Sequence, residues 1–355
     1  MRLLIDIEHP AHVHFFKNFA WQMSERGHEI LISAFDKEVT LDLLRVYNFE
    51  YDLCGKQGNS LFASAKQLLG RDWRVYNLTC KFKPDIIVGI GDIVGAQVSS
   101  ITKAKSIVFA DTEHATLNNM LCFPFANVIC TPTCFNKDLG RKQVRYNGYH
   151  ELAYLHPNYF KPDPTVLDDC RLKKDDKYVI VRFVAWQATH DIGQHGLSLS
   201  AKRRLIAEIE LQGGRTLITS EVILPEEFER YRIKVRPDKM HDLLYYATLY
   251  IGEGATMASE CAVLGTPAIY INTLKLGYLD EQEEKYGLIF NFGEAELAIR
   301  KSVELLAERD IRQRWAVKRQ RMMADKIDVT NFMIDFFENY LERLRGNGNV
   351  RAKPM

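Results

Sequence analysis

Short apolar runs alternate with longer amphipathic stretches along most of the chain, the pattern of strands and helices that build a parallel sheet covered on both faces. Residues 2–7 read as a strand, 11–26 as a helix stopped at Gly27, and 29–33 as the next strand. After this opening βαβ unit come a strand at 85–89, a small-residue helix at 95–103, a strand at 106–110 and a closing strand at 128–130. Between 146 and 177 the period is lost and prolines stand at 157, 162 and 164, which suits a connector. Alternation then resumes, with strands expected at 178–184, 216–220, 249–252 and 267–272 and helices at 200–211, 240–247 and 256–264. Beyond about residue 297 the chain reads as helical, with Phe332, Phe336, Phe337, Tyr340, Leu341 and Leu344 at helical spacing. The division expected is one α/β domain over 1–150, a connector over 151–176, a second α/β domain over 177–325, a C-terminal helix over 326–345 packing back, and a tail over 346–355.

Composition narrows the class. The chain has 355 residues, 47 basic and 46 acidic, so its net charge of +1 offers no global field for a nucleic-acid backbone. Apolar residues at 46% and charged residues at 26% are the values of a globular protein with a large core. No run approaches the ~18 apolar residues of a membrane span. Asp6 and Glu8 interrupt what would be the apolar part of a signal peptide, so a cytoplasmic location is expected. Seven cysteines form no CxxC pair and are read as small core residues in a reducing compartment.

In open parallel sheets ligands bind beyond the carboxyl ends of strands, which directs attention to four loops. In IEHPAHVHF, residues 7–15, three histidines open a helix, and His12 near free helix amides could act as a base toward a sugar hydroxyl; a solvated, capped helix start is the plainer reading. In VGIGDIVGA, residues 88–96, Gly89, Gly91 and Gly95 miss the dinucleotide fingerprint by one residue, and are read as allowing close approach of a ligand or of the facing domain. In ADTEHATLNN, residues 110–119, Asp111, Glu113 and His114 crowd together, for acid or base work or for helix capping. In IGEGATMASECAVLGTPAIYIN, residues 251–272, Gly252 and Gly254 open a tight turn into a helix whose free amides can hold a diphosphate. Glu260, six residues past Gly254, can accept two hydrogen bonds from a ribose diol.

The fourth loop resembles the donor motif of GT-B glycosyltransferases, especially the N-acetylglucosaminyltransferase that completes the lipid-linked peptidoglycan precursor. Gly254, Ala255, Ser259, Glu260, Gly265, Pro267 and Ala268 match it at the same spacing. Pro10, Ala11, His12 and Val13 are similar to that family's first loop, and residues 87–92, IVGIGD, to its second. UDP-N-acetylglucosamine 2-epimerases are similar through Gly91, Asp92 and Glu113, and more loosely through ATHDIGQHG at 188–196. Through LLIDIEHPAHVHFF, RYNGYHELAYLHP, VRFVAWQATHDIGQ and IGEGATMASE the whole chain resembles a prokaryotic domain-of-unknown-function family of the GT-B superfamily.

The resemblance implies the GT-B fold, two facing Rossmann-like domains, with acceptor in the first and nucleotide-sugar in the second. It implies a glycosyltransferase using a UDP-linked sugar, with no cofactor or metal and an acceptor that includes lipid-linked candidates. Glu260 would hold ribose, the amides of Gly254, Ala255 and Thr256 would hold the diphosphate, Gly252 and Ser259 would belong to the same nucleotide-sugar site, and residues 233–236 would meet the base. Arg182 or His190 would neutralise the leaving diphosphate, and His12 or Glu113 would deprotonate the acceptor. The alternatives are an epimerase working through Asp92, Glu113 and His190, and a binding protein without turnover. Two departures stand out: Glu8, His9 and Pro10 replace a glycine-rich loop, and the paired donor-sugar glutamines have no match, although residues 280–283, DEQE, lie nearby. The stretch MLCFPFANVIC, 120–130, is read as a buried helix and strand in preference to a surface for a membrane-borne acceptor.

Overall fold

The computed structural model describes residues 1–56, 61–184, 197–220 and 223–345. It divides into two compact units, one of residues 1–159 with the segment from Ile327 onward, the other Phe160–Lys326.

The first unit is a seven-stranded, wholly parallel sheet. Its strands are β1 (Arg2–Ile7), β2 (Glu29–Asp36), β3 (Asp52–Lys56), β4 (Ile86–Ile90), β5 (Lys105–Phe109), β6 (Val128–Pro132) and β7 (Gln143–Tyr146), in the order β3-β2-β1-β4-β5-β6-β7. Helices cover both faces, so the central strands are largely apolar: Leu3, Leu4, Ile5 and Ile7 on β1 are buried. Asp6 breaks the run and is buried too, opposite Ser33 in the β1–β2 register.

The sheet does not end at 130 as expected, because β7 adds an edge strand whose half-exposed residues carry no apolar run. The same reason hid β3, which is mostly exposed at the opposite edge. The helix Val329–Arg345 belongs to this unit and packs on Pro10–Glu25, with Phe19 and Phe337 rings 4.8 Å apart. Its buried stripe is Met333, Ile334, Phe337 and Tyr340, and Phe332 and Phe336 lie at the margin. The start of the expected connector is also built into this unit. Leu152–Leu155 is a short buried helix, and the Ala153 carbonyl accepts hydrogen bonds from Asn18 and Thr330.

The second unit is a five-stranded parallel sheet of β8 (Tyr178–Phe183), β9 (Arg215–Ser220), β10 (Leu249–Gly252), β11 (Ala268–Ile271) and β12 (Ile289–Phe292), in the order β12-β11-β10-β8-β9. Each sheet reverses its strand order once, between β1 and β4 in the first unit and between β8 and β10 in the second. The crevice at such a reversal is where an open α/β sheet binds its ligand. The loops 8–12 and 91–95 sit at one reversal, and Arg182 with the 252–256 turn at the other. No helix among the described residues is long and apolar enough to cross a membrane. Of the cysteines, Cys54, Cys122, Cys130 and Cys261 are buried as expected, while Cys80 is exposed and Cys134 and Cys170 are half-buried.

Candidate functional site

In the second unit the site is built by backbone economy. Gly252 is paired with Arg182 across β10 and β8, and a Cβ on Gly252 would lie 2.7 Å from Arg182 Cβ and 2.5 Å from the Tyr250 hydroxyl. Only glycine permits that approach. The Tyr250 hydroxyl donates to the Gly254 carbonyl at 3.1 Å and pins the turn. Gly254 is the N-cap of the helix Ala255–Leu264 and has no side chain to cap it, so the first-turn amides and the positive end of the helix dipole are left for a ligand. Gly254 and Ala255 are half-buried and Thr256 is exposed, so that end is open. Arg182 lies alongside: a Cβ on Gly254 would be 3.6 Å from its Cγ. At its other end the helix stops at Gly265, φ +82°, with the Thr266 amide donating to the Cys261 carbonyl.

Glu260 is buried on this helix, and its Oε1 lies 3.0 Å from His241 Nε2. Ser259 is fully buried and its Oγ accepts from Gln282 Nε2 at 2.8 Å, which makes it a tie between helices. The acidic run 280–283 is committed elsewhere: Glu281 to Lys326 at 2.7 Å, and Glu283 to the Asn291 side-chain amide at 2.8 Å. Glu253, passed over in the sequence, is buried and accepts from the Val184 amide at 3.1 Å and the Leu197 amide at 2.6 Å, the residues that bracket 185–196. His190 lies outside the described residues. A depression of about 500 Å³ in this unit, lined by Lys177, Thr248 and residues 306–313, sits at the amino end of β8 and β10, the wrong end of the sheet for this site.

In the first unit the reversal point carries a charge cluster. Arg71, from the helix Leu61–Phe82, pairs with Asp6 and, at 2.7 Å, with Glu8. Ser33 Oγ donates to the other Asp6 oxygen at 2.5 Å. Asp92 is the N-cap of the helix Ile93–Ser100 and accepts from the Gly95 amide at 2.7 Å. Burial, reinforced by the charges of Asp6 and Glu8, raises the Asp92 pKa well above the ordinary carboxylate value; burial likewise raises that of Glu8, against the pull of Arg71. Asp6, Glu8 and Asp92 bring carboxylate oxygens within 4.8 Å of one another, a set that suits a cation, and the Arg71 guanidinium already binds two of the three.

Two of the three near-fingerprint glycines, Gly89 and Gly95, have a local packing purpose. A Cβ on Gly89 would lie 2.6 Å from Asp92 Cβ, and one on Gly95 would collide with the Asp92 carboxylate. They make room for Asp92 to fold back on its own helix.

The three histidines of the first loop separate by role. His9 caps the helix Pro10–Glu25 through Nδ1, which accepts from the Ala11 amide. His14 is buried, stacked on Tyr154. His12 Nδ1 accepts from the Glu8 amide at 3.3 Å, which leaves Nε2 carrying the proton of the neutral ring. Burial, then the nearby His9, His150, Lys37 and Arg71, push the His12 pKa well below its usual value. Its imidazole is therefore expected to stay neutral from pH 8 down past 6.5. An NMR titration of the ring checks this, and a midpoint at or above 6.5 would contradict the downward shift.

Glu113 is buried, its Oε1 accepting from the Asn136 amide at 3.0 Å while its carbonyl takes Lys137 Nζ. Asp111 pairs with His150, a residue not singled out in the sequence, at 3.0 Å. Although burial opposes it, the His150 pairing lowers the Asp111 pKa. MLCFPFANVIC is buried only in part: Cys122, Ala126 and the strand residues Val128, Ile129 and Cys130 are buried as expected, whereas Met120 is 68%, Phe125 43% and Leu121 38% exposed.

The sequence profile of the family described as "Protein of unknown function (DUF354)" matches residues 1–342. The chain belongs to this family. The uncharacterised protein MJ0665 of Methanocaldococcus jannaschii is 24% identical over 284 residues, 75% of this chain and 80% of the relative. Among solved structures, the UDP-GlcNAc 2-epimerase of Neisseria meningitidis bound to UDP-GlcNAc superposes with a TM-score of 0.67 at 10% identity, over 96% of this chain and all of the other. The Streptomyces sp. SF2575 glycosyltransferase SsfS6 gives 0.60 at 11% identity, over 94% and 99%. At such identities the likeness establishes the fold, and this DUF354 chain has the GT-B fold: two parallel-sheet Rossmann-like units and a helical C-terminal segment.

Proposed function

We propose that this DUF354 protein is a glycosyltransferase of GT-B type that takes a UDP-linked sugar as donor, with no cofactor. The observation that carries the reading is the uncapped start of Ala255–Leu264 at the β8–β10 reversal, with the Arg182 side chain beside it and Glu260 buried a turn and a half further on. The amides of Gly254, Ala255 and Thr256 receive the diphosphate and Arg182 offsets the charge that develops as it leaves. Glu260 accepts the ribose hydroxyls. In the first unit His12 is the group for the acceptor hydroxyl: its depressed pKa keeps the ring neutral, as a base requires, and acting at Nε2 means shifting the ring proton to Nδ1 at the cost of one long bond to the Glu8 amide. The neighbours that bind UDP-GlcNAc and act as glycosyltransferases or epimerases on this fold support a nucleotide-sugar ligand.

An epimerase reading asks Asp92 and Glu113 to exchange protons at the sugar. Asp92 is instead bonded to the Gly95 amide and Glu113 to the Asn136 amide, which favours transfer. The deciding experiment incubates the protein with UDP-sugars in deuterated water, with and without an acceptor panel. Release of UDP that depends on an acceptor is the expected result. Deuterium entering the sugar at C2 without acceptor would replace this reading with the epimerase.

A further inference from the structure

Glu260 is held by a neighbour that the donor motif does not contain. His241 lies on the helix Met240–Tyr246, which packs on the Ala255–Leu264 helix. Its Nε2 is 3.0 Å from Glu260 Oε1, the two side chains being only 5% and 8% exposed, and the Phe160 ring meets the imidazole edge-on at 6.4 Å. An ionised carboxylate only accepts, so Nε2–H is the donor. The last torsion of a glutamate is broad and roughly two-fold, so nothing within the side chain fixes the plane of its oxygens. A hydrogen bond from a packed imidazole does.

We propose that His241 is a positioning residue that sets the plane of the Glu260 carboxylate for two vicinal hydroxyls, and so gives the site its preference for a ribonucleoside over a 2′-deoxyribonucleoside diphosphate. The inference rests on the donor site described above. The bond to His241 takes up one of about four acceptor positions on the carboxylate, so it does not itself compete with a diol for the two it needs. With the 2′-hydroxyl absent, only one of those bonds forms and the orientation of the carboxylate matters less.

The test measures the affinities of UDP and 2′-deoxy-UDP by calorimetry for the wild type, His241→Leu, His241→Gln and Glu260→Ala. Wild type should prefer UDP by about 10–100-fold, the worth of one hydrogen bond to a charged group. His241→Leu should lose most of that preference by weakening UDP while leaving 2′-deoxy-UDP nearly unchanged. His241→Gln, whose amide nitrogen reaches the place of Nε2, should restore it. Should the leucine variant fail to fold, His241→Asn replaces it, since its amide falls short of Glu260. Equal weakening of both ligands in the leucine or asparagine variant, or an undiminished preference, overturns the role of His241. If Glu260→Ala binds UDP as the wild type does, or the wild type binds neither ligand, the donor-site reading itself fails.

Discussion

If the proposed donor site holds, UDP should raise the stability of the protein, and replacing Glu260 with alanine is expected to erase that rise. At a UDP concentration about 100-fold above its dissociation constant, linkage adds about 2.7 kcal/mol to the folded state. For a unit the size of Phe160–Lys326 this is a rise of about 5–10 °C in melting temperature. Two hydrogen bonds from ribose to an ionised carboxylate are worth about 1.5–3 kcal/mol each. Losing both removes at least as much as the ligand supplied, so at the same concentration the alanine variant should show a shift of about 1 °C or less. The substitution also removes the Glu260 bond of the buried His241 imidazole, and the ligand-free protein should lose about 1–3 kcal/mol. The two effects separate because each increment is measured against the same variant without ligand. A full-sized increment in Glu260→Ala would show that the carboxylate does not touch the nucleotide.

The turn and helix proposed above for the donor were legible because their residues are local in sequence. Gly252, Gly254, Glu260 and Gly265 lie within one strand–turn–helix segment, so spacing alone puts them on consecutive turns, and the structure shows the glycines needed for close approach and for a left-handed cap. Arg182 could be joined to them because it ends another strand of the same sheet, and strand ends meet at a reversal in strand order. His241 could not be joined. It lies on a short helix with no distinguishing spacing, and only tertiary packing brings it to Glu260.

The first unit was harder to read for the same reason carried further. Asp6 stands in the apolar run LLIDI, and a carboxylate buried in a central strand demands a cation, yet nothing in the sequence of the Leu61–Phe82 helix marks Arg71 as that cation. The glycines around Asp92 resembled a ligand loop because the need is similar: a side chain folded tightly back and a bound phosphate both require a backbone without Cβ. Asp111 was noticed for its neighbours Glu113 and His114, whereas its partner His150 comes from a turn far along the chain, beyond β7. Edge strands β3 and β7 escaped because they are exposed where the interior strands are apolar, so hydrophobic runs do not announce them.

Arg71→Met should be among the most damaging single changes in the first unit. The guanidinium lies between Asp6, which is fully buried, and Glu8, with Asp92 only 1% exposed beside them. Removing it leaves buried carboxylates without their cation, at a cost of about 3–5 kcal/mol at pH 7. The sign of the pH dependence follows from the raised pKa values of Glu8 and Asp92. The folded protein holds protons there that the unfolded chain has released, so their contribution is best at low pH and is lost as pH rises from the ordinary carboxylate value through the raised one. Arg71 moderates both shifts, and without it that window extends to higher pH. The deficit of Arg71→Met should therefore grow from pH 5 to pH 8, as read by urea denaturation at each pH. Adding Asp6→Asn should recover much of it, because the amide oxygen still accepts from Ser33 while one buried charge disappears. A deficit under about 1 kcal/mol at pH 7, or one that deepens toward acid, would mean that these carboxylates do not depend on Arg71 for their burial.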